Sequence, residues 1–147
     1  MIRIIVQAGP IDAGSELAAV EGAGVGAVAS FTGLVRADDG VTRLELEHYP
    51  GMTEAMLRNV ADAAVTRWGL VAVSIVHRVG AMVPGDRVVF IAAAAAHRAA
   101  ALEACAAMID SLKVSAPFWK RERRDAGAAW VEARDGDLAA AARWDAD

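Results

Sequence analysis

Thirteen arginines but only two lysines, Lys113 and Lys120, occur in this 147-residue chain, and both lysines lie in one short segment. Arginine therefore carries the ordinary surface charge. A lysine in such a chain supplies what a guanidinium does not, a compact ammonium that can lose its proton. The segment reads Lys113-Val114-Ser115-Ala116-Pro117-Phe118-Trp119-Lys120-Arg121-Glu122-Arg123-Arg124. If Pro117 opens an extended piece, the two-residue period puts Phe118, Lys120 and Glu122 on one face and Trp119 and Arg121 on the other. An amine beside an aromatic ring, with a carboxylate two residues on, sits where its proton affinity can be tuned. Such a lysine works as acid, base or amine nucleophile. A basic, solvated strand has the same composition, so both readings stand at this level.

Other candidates sit at the ends of apolar segments. Phe31-Thr32-Gly33-Leu34-Val35-Arg36 finishes in an arginine, which either grips an anion in bidentate fashion or solvates a strand end. Gly33 inside that run indicates a bulge or the close approach of another chain segment. Glu47-His48-Tyr49-Pro50-Gly51-Met52 places a carboxylate, an imidazole and a phenol at a strand-to-helix junction, where packing is the favoured reading and a pocket lining the alternative. His77-Arg78 reads as a polar strand end. His97-Arg98 leaves an apolar strand and opens a helix, where free N–H groups gather anions, and so forms a candidate anion or acid/base pair. Cys105 falls on an apolar helical stripe and reads as an inert core thiol. With a single cysteine and three dispersed histidines, no metal site is expected. Gly22-Ala23-Gly24-Val25-Gly26-Ala27 spells G-x-G-x-x-A, but it follows a helix and leads into a strand, the reverse of the dinucleotide context. Its glycines are read as a tight turn.

The elements that position these residues follow from periodicity and punctuation. Strands are expected at 1–7, 27–35, 43–49, 70–78, 86–95, 117–122 and 128–133, and a loop at 79–85. Helices are expected at 10–20, at 53–68 with Met56, Val60 and Ala64 as the inner stripe, at 97–113 with Leu102, Cys105, Ile109 and Leu112, and at 138–144. Several strands follow one another without an intervening helix, which favours an α+β fold over a doubly wound parallel sheet. Hydrophobic residues make up 56% of the chain, but 35 of the 147 residues are alanine, so core volume is smaller than that fraction suggests. The length suits one domain. A net charge of −4 disfavours nucleic-acid binding through an overall field and leaves room for a local basic pocket. No apolar run approaches the length of a membrane span, and the first residues do not make a leader peptide, so a cytoplasmic protein without membrane contact is expected.

Taken in order, Phe31 to Arg36, Leu46-Glu47-His48-Tyr49-Pro50-Gly51-Met52, His77-Arg78-Val79-Gly80, Gly85-Asp86, Ala96-His97-Arg98, Ile109-Asp110-Ser111-Leu112-Lys113 and Pro117 to Glu122 resemble one family. It is the large, catalytic subunit of molybdopterin synthase. The resemblance covers residues 1–134 and leaves 135–147 as an acidic, alanine-rich tail. It implies a single-domain α/β hammerhead-type fold, with a mixed or antiparallel sheet and flanking helices. It implies sulfur transfer from the C-terminal Gly-Gly thiocarboxylate of a ubiquitin-like small subunit to cyclic pyranopterin monophosphate, which forms the dithiolene of molybdopterin. It also implies a central homodimer with a small subunit at each end, and no cofactor or metal. By the same resemblance Lys113 and Lys120 are catalytic. Arg36, His97 and Arg98 bind substrate, and Phe31, Phe118 and Glu122 border the channel for the partner's tail. The competing expectation is a non-catalytic module that docks a ubiquitin-like protein.

Overall fold

The computed structural model describes residues 1–124, 127–131 and 135–145. Its first sheet is built on β6 (Arg87–Ala95), which lies between β4 (Ala72–Arg78) and β2 (Ala27–Leu34) and is antiparallel to both. Strand β1 (Ile2–Gln7) completes it, parallel to β4, in the order β1-β4-β6-β2. Alternate residues of β6 point to opposite faces. Val89, Ile91, Ala93 and Ala95 meet helices α2 (Met52–Trp68) and α3 (Arg98–Ser115), whereas Phe90, Ala92 and Ala94 join a cluster with Ile11 and Val20 beside α1 (Ala13–Val20). The N-cap Asp12 of α1 accepts a hydrogen bond from the Ser15 amide at 3.1 Å, which satisfies one of the free donors of the first turn.

The second sheet is wholly antiparallel. It runs in the order β5-β3-β7-β8, from Gly80–Met82, Val41–His48, Phe118–Arg124 and Gly127–Val131. A single 3-10 turn, Asp38–Gly40, leads into β3. Leu44, Leu46 and Met82 pack with Val35 as a smaller core, with Val88 against it. Thr53, fully buried at the start of α2, ties the parts together. Its Oγ1 accepts from the Tyr49 amide at 3.0 Å and donates to the Pro117 carbonyl at 3.1 Å. The last helix, α4 (Asp135–Ala142), lies along α3. It is latched by Trp144 and Arg143 on Asp110, at 2.6 and 2.8 Å, and by an edge-to-face contact of Trp144 with Trp68.

The α+β reading of the sequence holds, with three local corrections. The buried stripe of α2 is Thr53, Leu57, Ala61 and Ala64, one residue round from the Met56–Val60–Ala64 stripe expected, although Ala64 is common to both. In α3 the buried residues are Ala101, Ala104, Cys105, Ala107, Met108 and Leu112, while Leu102 is 61% exposed. In both helices alanine fills the inner face, so larger apolar side chains are a poor guide to its direction. Residues 79–85 hold a short strand, β5, within the expected loop. Gly80 to Met82 carries too little side-chain pattern to mark it, and pairing with β3 decides the matter.

The glycine run before β2 serves chain packing. The Gly26 amide donates to the Ala95 carbonyl at 2.9 Å, and a Cβ at Gly26 would collide with the Ala96 carbonyl oxygen. Around Gly22 there is open space. Gly26→Ala is therefore expected to destabilise the protein by about 2 kcal/mol or more, with Gly22→Ala within about 0.5 kcal/mol of the parent. Urea unfolding midpoints at constant m-value check both.

Candidate functional site

A cleft of about 810 Å³ opens where the end of β2, the last turn of α3 and the inner face of β7 converge. That volume is within the range of small-molecule sites. Strand alternation brings Phe118, Lys120 and Glu122 to its wall, as the sequence predicted, and leaves Trp119 half exposed on the outer face, where its indole N–H donates to the Tyr49 hydroxyl. Lys113 arrives from the last turn of α3, and Arg36 from the segment after β2. Phe31 of β2 also lines it. The cleft thus gathers six of the eight candidate residues.

Glu122 organises the cations. It is 7% exposed, its Oε1 lies 3.7 Å from the Lys120 Nζ, and its Oε2 accepts from Arg124 Nη2 at 2.8 Å. A buried carboxylate needs such partners. Arg36 pairs loosely with Asp38 at 3.4 Å, and both side chains are largely exposed, so the guanidinium can exchange that partner for a ligand at little cost. Four cationic side chains, Arg36, Lys113, Lys120 and Arg124, line the cleft against three carboxylates, Asp38, Glu122 and Asp137. That balance suits an anionic ligand. Among the described residues no three His, Cys, Asp or Glu side chains gather as a metal site.

His97 and Arg98 lie elsewhere. They are exposed at the start of α3, fifteen residues from Lys113, which amounts to about 22 Å along the helix axis at 1.5 Å per residue. Within one chain they do not reach the cleft.

Arg124 and His77 are among the lining residues that were not anticipated. Arg124 follows from carrying the β7 alternation one step beyond Glu122. His77 shares the face of Val73 and Ile75 on β4, the face that meets α3, so its direction was readable from the strand period. Its ring stacks on Phe118 with centroids 4.0 Å apart, and its Nδ1 lies 3.0 Å from the Arg78 carbonyl oxygen. Burial, reinforced by the charges of Lys113 and His48, pushes the imidazole down to about 4 against the pull of the Arg78 carbonyl. Cys105, beneath the site in the core, has its thiol raised to about 11 by burial, as suits an inert side chain. The tail also touches the site, for Gly136 and Asp137 of α4 line part of the cleft.

The MoaE protein family model matches residues 6–115. The chain belongs to the MoaE protein family. It is 48% identical over 149 residues to the molybdopterin synthase catalytic subunit of Ralstonia nicotianae, across 98% of this chain and 85% of that protein. The solved structure of the molybdopterin biosynthesis MoaE protein from Burkholderia ambifaria superposes with a TM-score of 0.86 at 45% identity, covering all of both chains. A molybdopterin synthase structure from Staphylococcus aureus gives 0.82 at 33% identity, over 86% of this chain and 95% of that one. The two-sheet α+β architecture is thus the MoaE architecture, and the cleft is the concave, cation-lined feature that this MoaE chain presents.

His77 also has a consequence for stability. A histidine unfolds into water with a pKa near 6.5, whereas the folded ring holds a proton only near 4. Between these values the unfolded chain binds more protons, so stability falls as pH drops through 6.5 and the loss is complete below about 4. The span amounts to as much as about 3 kcal/mol. In urea titrations across that window, His77→Phe is expected to show a shallower decline than the parent.

Proposed function

We propose that this chain is the catalytic subunit of a molybdopterin synthase. In this reading it transfers sulfur from the C-terminal thiocarboxylate of a ubiquitin-like small subunit to cyclic pyranopterin monophosphate, in molybdenum cofactor biosynthesis. The observation that carries the reading is the convergence of both lysines and Arg36 in one aromatic-walled cleft within a MoaE fold. An anionic cyclic phosphate needs fixed cations, and Arg36 is held loosely enough to accept it. A diglycine tail, with no side chains, can pass between Phe31 and Phe118. As the thiocarboxylate sulfur forms its bond to the pterin carbon and a carbon–oxygen bond there breaks, the departing oxygen needs a proton, and the Lys113 ammonium is the donor we assign. Water then attacks the acyl carbon, the acyl C–S bond breaks, the sulfur stays on the pterin and the small subunit leaves as a carboxylate. Lys120, held by Glu122, stabilises the negative charge of the incoming tail. We assign the work to the cytoplasm and the catalytic domain to residues 1–134.

His97 and Arg98 enter this scheme through a second copy of the chain. They lie too far along α3 to serve the cleft of their own protomer, and the homodimer implied by the family provides the alternative. Substrate binding by this pair therefore takes place in the partner's cleft.

Reconstitution with a thiocarboxylated small subunit and cyclic pyranopterin monophosphate tests the whole reading, with product followed as its fluorescent oxidised derivative. Lys113→Ala is expected to lower turnover by about a hundredfold or more while small-subunit binding persists. Full turnover in that variant removes Lys113 from the chemistry. Binding without product in the parent protein makes it a docking module. Co-assembling Lys113→Ala with Arg98→Ala should restore part of the activity that each lacks alone, because one cleft of the mixed dimer then carries both residues. No recovery would place His97 and Arg98 outside the site.

A further inference from the structure

The cleft contains one polar ring to which the proposed chemistry gives no task. His77 is anchored on three sides. Its ring lies flat on Phe118, at 4.0 Å and 27° between planes. Its Nδ1 is 3.0 Å from the Arg78 carbonyl oxygen, and its backbone is locked between β1 and β6, in register with Val6 and Val89. A carbonyl oxygen only accepts, so Nδ1 carries the proton and Nε2 keeps its lone pair. Nε2 is the remaining polar atom of a ring that lines the cleft, alongside Lys113.

We propose that His77 is a positioning residue, whose neutral imidazole presents the Nε2 lone pair to the Lys113 ammonium and fixes where that amine sits in the cleft. The proposal rests on the reading of Lys113 as the reacting lysine. The groups that share the cleft with His77 fit the role. Lys113 comes from α3, and Phe118, Lys120 and Glu122 come from β7. His48 from β3 stands nearby, itself 3.4 Å from Glu54 on α2. With cations close by, a protonated ring is disfavoured, so His77 stays an acceptor. A ring this reluctant to take a proton is a poor general base at neutral pH. Orientation is what it can supply, and an amine displaced by an ångström loses much of its value to the transition state. An acceptor also favours the charged form of the amine it receives from.

The test compares His77→Phe, which keeps a ring to stack on Phe118 and removes the acceptor, with His77→Gln, which restores an acceptor. Both are measured as assembled synthase at neutral pH. His77→Phe is expected to lower kcat by about tenfold to a hundredfold, with KM for the pterin and the urea midpoint close to the parent's. His77→Gln is expected to recover a clear part of kcat. A His77→Phe enzyme with parental kcat, or a His77→Gln enzyme no better than it, overturns the proposal. Nitrogen-15 NMR of the parent chain provides an arm independent of turnover. The expected signature is a neutral His77 protonated at Nδ1, with a Lys113 titration midpoint that falls by about half a unit or more in His77→Phe. A ring protonated at Nε2, or an unmoved Lys113, overturns it even where the variants fold poorly. If the parent makes no product while the NMR signature is present, the sulfur-transfer reading fails and the His77–Lys113 pairing stands.

Discussion

The structure depends on one strand that is buried on both faces. β6 has no solvent side, because α2 and α3 cover one face and α1 and its approach segment cover the other. Alanine at positions 92–95 meets that constraint by volume, since larger side chains on both faces would push the layers apart. The sheet is well packed at this alanine-rich end. At the other end of β6 the helical cover finishes with the last turn of α3, which carries Lys113, and β2 departs from its register between Gly33 and Leu34. There a Cβ on residue 33 would lie 2.8 Å from a Val89 methyl. The bulge turns the chain toward Arg36 and the second sheet. The cleft is the space left where the tightly packed layer gives way to the smaller antiparallel one.

That arrangement explains why the site is rich in charge yet ordered. Glu122 is the only carboxylate among the described residues that is nearly out of contact with water, and it holds a lysine on one oxygen and an arginine on the other. Breaking either contact would leave an under-compensated buried charge, so the two cations have little freedom to wander. Arg36 has the opposite character, with a weak surface partner and ample freedom. One side of the cleft is therefore preorganised, and the other can adapt to what enters.

Much of this was legible in the sequence, and the failures have a common cause. The period of two on β7 correctly sorted Phe118, Lys120 and Glu122 from Trp119, because that strand carries large, chemically distinct side chains. The same logic failed on α2 and α3, where alanine occupies the inner face and Leu102 points to solvent. Helix direction read from bulky residues assumes that bulk lies inside, and a core built of small residues inverts that assumption. His77 was passed over because a histidine at a strand end has an ordinary explanation, and only the partners supplied by α3 and β7 give it another. The family motifs group His97-Arg98 with Lys113, whereas the helix expected at 97–113 already set them at opposite ends, and the observed helix of eighteen residues holds them apart.

The sparing use of lysine has a practical corollary. With arginine doing the surface work, the only side-chain amines are those of Lys113 and Lys120, and both line the cleft. The third amine, at Met1, is tied to the Val71 carbonyl at 3.0 Å. For acylating and reductive-alkylating reagents the exterior of the molecule is therefore nearly silent. An activated carboxyl terminus carried by the small subunit would find hardly any stray nucleophile on the way in, and any isopeptide scar it left would mark the site itself.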